Sequence, residues 1–102
     1  MKKFRTKKTQ KVNNAISAIF YTLDYDIDIT IKNAKNNVWW DKSEYKRYLK
    51  NEIRDFGRIS KANIFGIQLV DGLSYEEFYK VYVVRIDRKV ENAIAIIEKI
   101  EF

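Results

Sequence analysis

The chain has no cysteine and no histidine among its 102 residues. Their absence removes disulfides, thiolate nucleophiles, imidazole acid–base chemistry and the usual zinc sites. Glycine is scarce: Gly57, Gly66 and Gly72 are the only three, and none lies in a glycine-rich phosphate loop of the kind that nucleotide hydrolysis uses. No apolar run approaches the roughly 20 residues needed to span a bilayer. Asn13 and Asn14 interrupt the stretch after the basic N-terminus, so no apolar signal-peptide core follows it. Without an export signal or cysteine, the sequence reads as cytoplasmic and detached from membranes, and no motif asks for a cofactor.

What is present fits a small folded domain. Hydrophobic residues make up 46 % and charged residues 33 %, which is too apolar for a disordered chain and too charged for a membrane protein. At this length one core suffices, and the scaling of surface with mass gives roughly 6,000 Å² exposed when folded. Lys, Ile, Asn, Tyr and Phe supply nearly half of the residues. These types have AT-rich codons and point to an AT-rich bacterium, or one of its phages or plasmids, as the source.

The net charge is +6, and its placement matters more than its size. Lys2, Lys3, Arg5, Lys7, Lys8 and Lys11 are six cations with no acid among the first eleven residues, and the remainder carries fourteen charges of each sign. Cations at a helix N-terminus oppose the helix dipole, so helix stability alone does not explain them. A basic arm over 1–8 that meets an anionic partner does, ahead of a single domain over 9–102.

The periodicity predicts an α+β domain. Val12, Ala15, Ile16, Ile19, Phe20 and Leu23 have helical spacing and predict a helix over 9–23. Asp24, Asp26, Asp28, Thr30 and Lys32 then alternate with Tyr25, Ile27, Ile29 and Ile31, which predicts a strand with one wet face. A turn over 33–37 and a short strand over 38–40 follow. Asp41 as N-cap, Glu44 at the capping-box position and Trp40 stapled against Tyr45 predict a second helix over 42–56, closed by Gly57 in the left-handed conformation. The apolar run over 62–70 reads as a strand with a bulge or a close backbone approach at Gly66, and Asp71-Gly72 as a hairpin turn. The next segment fits both periods: Ser74 and Glu77 resemble a capping box with helical spacing after them, whereas Val81-Tyr82-Val83-Val84 is rich in strand formers. The hairpin needs a partner, so a strand over 77–86 is preferred, followed by a terminal helix on Val90, Ala93, Ile94, Ile97 and Ile100, with a strand on Ile94, Ile96, Ile100 and Phe102 as the alternative. The result is a mostly antiparallel sheet of three to five strands with two or three helices on one face, whose element order resembles an incomplete split βαβ arrangement.

Three groups of residues are candidate sites. Arg47, Lys50, Arg54 and Arg58 lie at spacings of 3, 4 and 4, opposite the apolar stripe of the second helix, and could follow a phosphate backbone. Trp39-Trp40 with Lys42, Tyr45, Lys46 and Tyr48 interleaves aromatics and cations as single-strand stacking surfaces do; strand alternation would leave Trp39 exposed. Asp24, Asp26 and Asp28 would share a strand face about 7 Å apart, a weak Mg²⁺ site without the Glu-x-Lys that a nuclease would add. The expected function is a non-enzymatic nucleic-acid- or nucleoprotein-binding module, docking through Lys2, Lys3, Arg5, Lys7, Lys8, Lys11, Trp39, Arg47, Tyr48, Lys50 and Arg54. The alternative is a phage or mobile-element protein that binds and inhibits a host protein such as a defence nuclease, in the manner of an anti-CRISPR protein. A Mg²⁺-dependent nuclease is third.

Overall fold

In a computed structural model, which describes residues 7–36 and 40–101, the chain is a three-helix bundle. Helix α1 spans Lys7–Asn33 and ends in a 3-10 turn, Ala34–Asn36; α2 spans Lys42–Asp71; a π-helical turn, Tyr75–Tyr79, leads directly into α3, Lys80–Lys99. No strand occurs among the described residues, so the expected α+β sheet is replaced by helices throughout. Short connections make successive helices antiparallel, with α2 packed on both of its neighbours. The molecule is a rod of 53 × 22 × 20 Å with 7627 Å² of exposed surface, about a quarter more than the compact scaling predicts.

One buried seam explains why α1 runs through the expected strand. Ile16, Phe20, Leu23 and Ile27 are buried, Ile31 is partly buried against the same core, and Tyr25 and Ile29 face solvent. The alternation of Tyr25, Ile27, Ile29 and Ile31 is real, yet the packing uses every third or fourth residue. Strand propensity is a weak preference that an apolar face against α2 overrides. Thr30 fits the helix by donating its hydroxyl proton to the Asp26 carbonyl, at 2.8 Å.

The start of α2 is as the sequence predicts. The Asp41 side chain accepts hydrogen bonds from the backbone N–H of Ser43 and Glu44, at 2.9 and 3.2 Å. The expected staple does not form. Trp40 is wholly exposed, while Tyr45 is fully buried and donates its phenolic proton to the Ala34 carbonyl at 2.7 Å, which ties the end of α1 to the first turn of α2. Of the short strand expected over 38–40, residues 38 and 39 lie outside the described residues.

The second correction concerns where α2 ends. Gly57 is buried in mid-helix; a Cβ there would stand 2.6 Å from Val90 Cγ2 of α3. The glycine is a contact point between helices, not a stop. Helix α2 continues through the apolar run to Gly72, which has φ 63° and ψ 37° and donates its N–H to the Gln68 carbonyl. Leu73 N–H bonds the same carbonyl at 2.9 Å, the six-to-one bond of a left-handed glycine cap. Asp-Gly marks a left-handed glycine in a hairpin turn and at a helix end alike, and here it marks a helix end. Gly66 has open space around the missing Cβ, so no bulge or close approach explains it.

For the ambiguous segment, the helical alternative is the one that forms. Phe78 and Tyr79 N–H groups both reach the Ser74 carbonyl, at 3.0 and 3.4 Å. In the run of strand formers, Tyr82 and Val83 pack partly inward while Val81 and Val84 are exposed, which is helical spacing. The expected terminal helix is present as the rest of α3, with Ile86, Ala93 and Ile97 buried.

The two helical glycines should respond oppositely to alanine. Gly57→Ala should destabilise by about 1 kcal/mol net, because overpacking costs roughly 1–3 kcal/mol and helix propensity returns about 1. Gly66→Ala should stabilise by about 1 kcal/mol. Thermal and urea unfolding of both variants measures the pair, and adding Val90→Ala to Gly57→Ala should recover part of the loss.

Candidate interaction surface

At about 100° per residue, Arg47, Arg54 and Arg58 fall within roughly 40° of one another on the outer face of α2. All three are exposed. Arg54 donates to Asn51 Oδ1 at 3.1 Å, and Arg58 pairs with Asp55, one turn back on the same helix. Lys50 does not belong to this ridge. It turns toward α3 and pairs with the Glu98 carboxylate, while Lys46 Nζ donates to the Glu98 carbonyl at 2.8 Å. The two lysines therefore close the C-terminal turn of α3, where orphan carbonyls favour cations.

The hydrogen bond and charge of Lys50, reinforced by Lys46 and Arg54, hold the Glu98 carboxyl below its ordinary value. Tyr48 also leaves the expected surface. It points away from Lys50 toward the α1 side of α2, its ring stacks on Tyr45 with centroids 6.5 Å apart, and a hydrogen bond to Glu52 raises its pKa. Between α2 and α3 lies an open groove of about 480 Å³, bordered by Arg54, Arg58 and Lys61 on one side and Asp87 and Glu91 on the other. Lys61 bridges it to Asp87 at 3.0 Å.

The aspartates lose the premise that grouped them. On a helix, residues two apart are about 200° apart around the axis. Asp24 pairs with Lys89 of α3 at 2.9 Å, Asp26 borders the groove between α1 and α2, and Asp28 faces solvent. Among the described residues no group of three or more acids is placed to hold a metal ion.

Of the cationic arm, Lys2, Lys3 and Arg5 lie outside the described residues, Lys7 and Lys8 open α1, and Lys11 is exposed on it. Trp39, the expected stacking residue, also lies outside them. A feature the sequence reading missed is an aromatic band near the start of α3. Tyr79 packs on Phe65 and Tyr75, at 5.4 and 5.2 Å; Tyr82 packs on Phe78 and Phe20, at 5.0 and 6.0 Å; the Arg85 guanidinium lies 4.4 Å from the Phe20 centroid. The i, i+4 spacings of Tyr75 with Tyr79 and of Phe78 with Tyr82 carry that signal once the segment is read as helical.

No helix among the described residues is long and apolar enough to cross a membrane. No protein-family model, curated protein or solved structure matches the chain.

Because its folded pKa is lowered, Glu98 stabilises the protein above the ordinary carboxyl range, and that contribution disappears as pH falls through the folded value. Lys50→Met should move the Glu98 titration up toward the ordinary value and make the bundle less dependent on pH below about 4.5. NMR titration of the Glu98 carboxyl, with melts at acid and neutral pH, reads both effects.

Proposed function

We propose that the chain is a non-enzymatic nucleic-acid-binding module that grips phosphates without reading sequence. The observation that supports this best is the alignment of Arg47, Arg54 and Arg58 along one exposed face of α2. The ridge is about 16 Å long at 1.5 Å per residue, comparable to five nucleotide steps along one strand of a duplex. Guanidinium groups match phosphate oxygens two at a time. The partners that Arg54 and Arg58 hold locally are exposed and worth about 0.5 kcal/mol. A charge-assisted hydrogen bond to phosphate is worth about 1.5–3 kcal/mol, enough to release them. The cations over 1–11 add attraction that needs no fixed geometry.

A second reading, a host-protein partner such as an inhibited nuclease, draws on Trp40, which is wholly exposed just before α2. Aromatic anchors of this kind dominate protein interfaces.

The experiment is fluorescence anisotropy with labelled oligonucleotides of unrelated sequence at about 50 and 200 mM salt. The protein should bind them with similar affinity and weaken at least about 100-fold between the two salts. Replacing Arg47, Arg54 and Arg58 by Gln should lower the salt slope by about two on a single strand, and so should deleting residues 1–6. Absence of binding at low salt, or a slope indifferent to both changes, refutes the proposal. Capture of one protein after nuclease treatment would favour the second reading.

A further inference from the structure

Beyond the arginines, the outer face of α2 turns apolar. At about 100° per residue, Phe65 lies about five turns on from Arg47 at the same angle around the helix, and Leu69 lies within about 20° of Arg58. Phe65 is 41 % and Leu69 62 % exposed. In the π-helical turn that packs against this end of α2, Tyr75 is 52 % exposed, and Tyr79 stands between it and Phe65, with ring centroids 5.2 and 5.4 Å away. Tyr79 is half-buried against the core, so it holds the two outer rings in place while each keeps surface open to solvent. Single exposed apolar residues are ordinary on a protein surface. Three rings in contact, in line with a cationic ridge, form a patch.

On the reading that the ridge binds phosphates, we propose that Phe65 and Tyr75 are stacking platforms for bases and that the nucleic acid is single-stranded. A duplex turns its phosphates outward and keeps its bases stacked on one another, so it engages the arginines and leaves the rings uncovered. A single strand carries both groups on one chain: phosphates for Arg47, Arg54 and Arg58, and base faces for the rings. From Arg58 to Phe65 is about 10 Å along the helix, and from Arg47 to Leu69 about 33 Å. A strand of about 4–16 nucleotides, the usual footprint of such surfaces, can follow the face from its basic to its aromatic end. Nearby carboxylates shape the path. Asp87 and Glu91 border the far side of the groove between α2 and α3 and repel phosphate, which keeps the strand on the outer face of α2. Glu76, next to Tyr75, pairs with Lys80 at 3.2 Å, which offsets its repulsion of a passing strand. Because every base has a flat face, stacking adds affinity without reading sequence.

Fluorescence anisotropy of the full chain at about 200 mM salt, where attraction to phosphate is weakened, tests the proposal. The probes are a thymidine strand of about 12 nucleotides, an abasic strand of the same length, and a duplex. The thymidine strand should bind at least about fivefold more tightly than the abasic strand, the gain from one stacked base, and more tightly than the duplex. Phe65→Leu and Tyr75→Leu keep apolar volume and remove a ring. Each should weaken binding of the thymidine strand about fivefold and leave both the abasic strand and the salt slope unchanged, because the phosphate contacts remain. Unchanged abasic binding also shows that the ridge is still folded, and Phe65→Trp should bind the thymidine strand at least as tightly as the original chain. Equal affinity for the thymidine and abasic strands, or a preference for the duplex, overturns the inference while phosphate binding stands. Leu variants that match the original chain on the thymidine strand, as an apolar surface for a protein partner would give, overturn it in the same way. No binding of any probe even at about 50 mM salt overturns both the inference and the reading beneath it.

Discussion

Helices α2 and α3 meet where one of them has no side chain. The absent Cβ of Gly57 lets Val90 and Ile86 lie against the α2 backbone, and the neighbouring contacts depend on that spacing. Lys61 reaches Asp87 on one side of the contact and Lys50 reaches Glu98 on the other. Arg54 and Arg58 are left at the rim of the groove between them. One small residue in the middle of a 30-residue helix thus sets how closely α3 packs on α2.

The parts of the fold that could be read from the sequence are those where a local signal has one meaning. Asp41 followed by Glu44 is such a signal, and α2 begins there. The other signals have two meanings. A left-handed glycine closes a hairpin turn and a helix alike, so Asp71-Gly72 could not by itself choose between them. Gly57 looked like a helix end, although its small size serves a contact with a residue 33 positions away. Tyr25, Ile27, Ile29 and Ile31 alternate, but Leu23, Ile27 and Ile31 also continue the stripe of α1. Only the surface of α2 decides which period is buried. One clue was present throughout: the chain contains no proline, the residue most effective at ending helices.

The candidate surface was legible in part for the same reason. Helical spacing on α2 was correct, so Arg47, Arg54 and Arg58 do share a face. Lys50, at the edge of that arc, is taken by Glu98, whose approach depends on α3, and Tyr48 falls on the other side of the helix. The three aspartates were grouped only by an assumed strand, and the true period scatters them. The aromatic band was hidden because its members come from three helices.

The two ends of the rod are held by different forces. Near Ile100, Lys46 and Lys50 fasten α3 to α2 through exposed charge; near Tyr75, aromatic rings from all three helices interlock. Dissolved ions screen the first kind of contact and leave the second almost untouched. Concentrated electrolyte therefore removes the charged ties at one end, where Tyr45, Leu49 and Ile97 stay buried beneath them, and spares the ring contacts at the other.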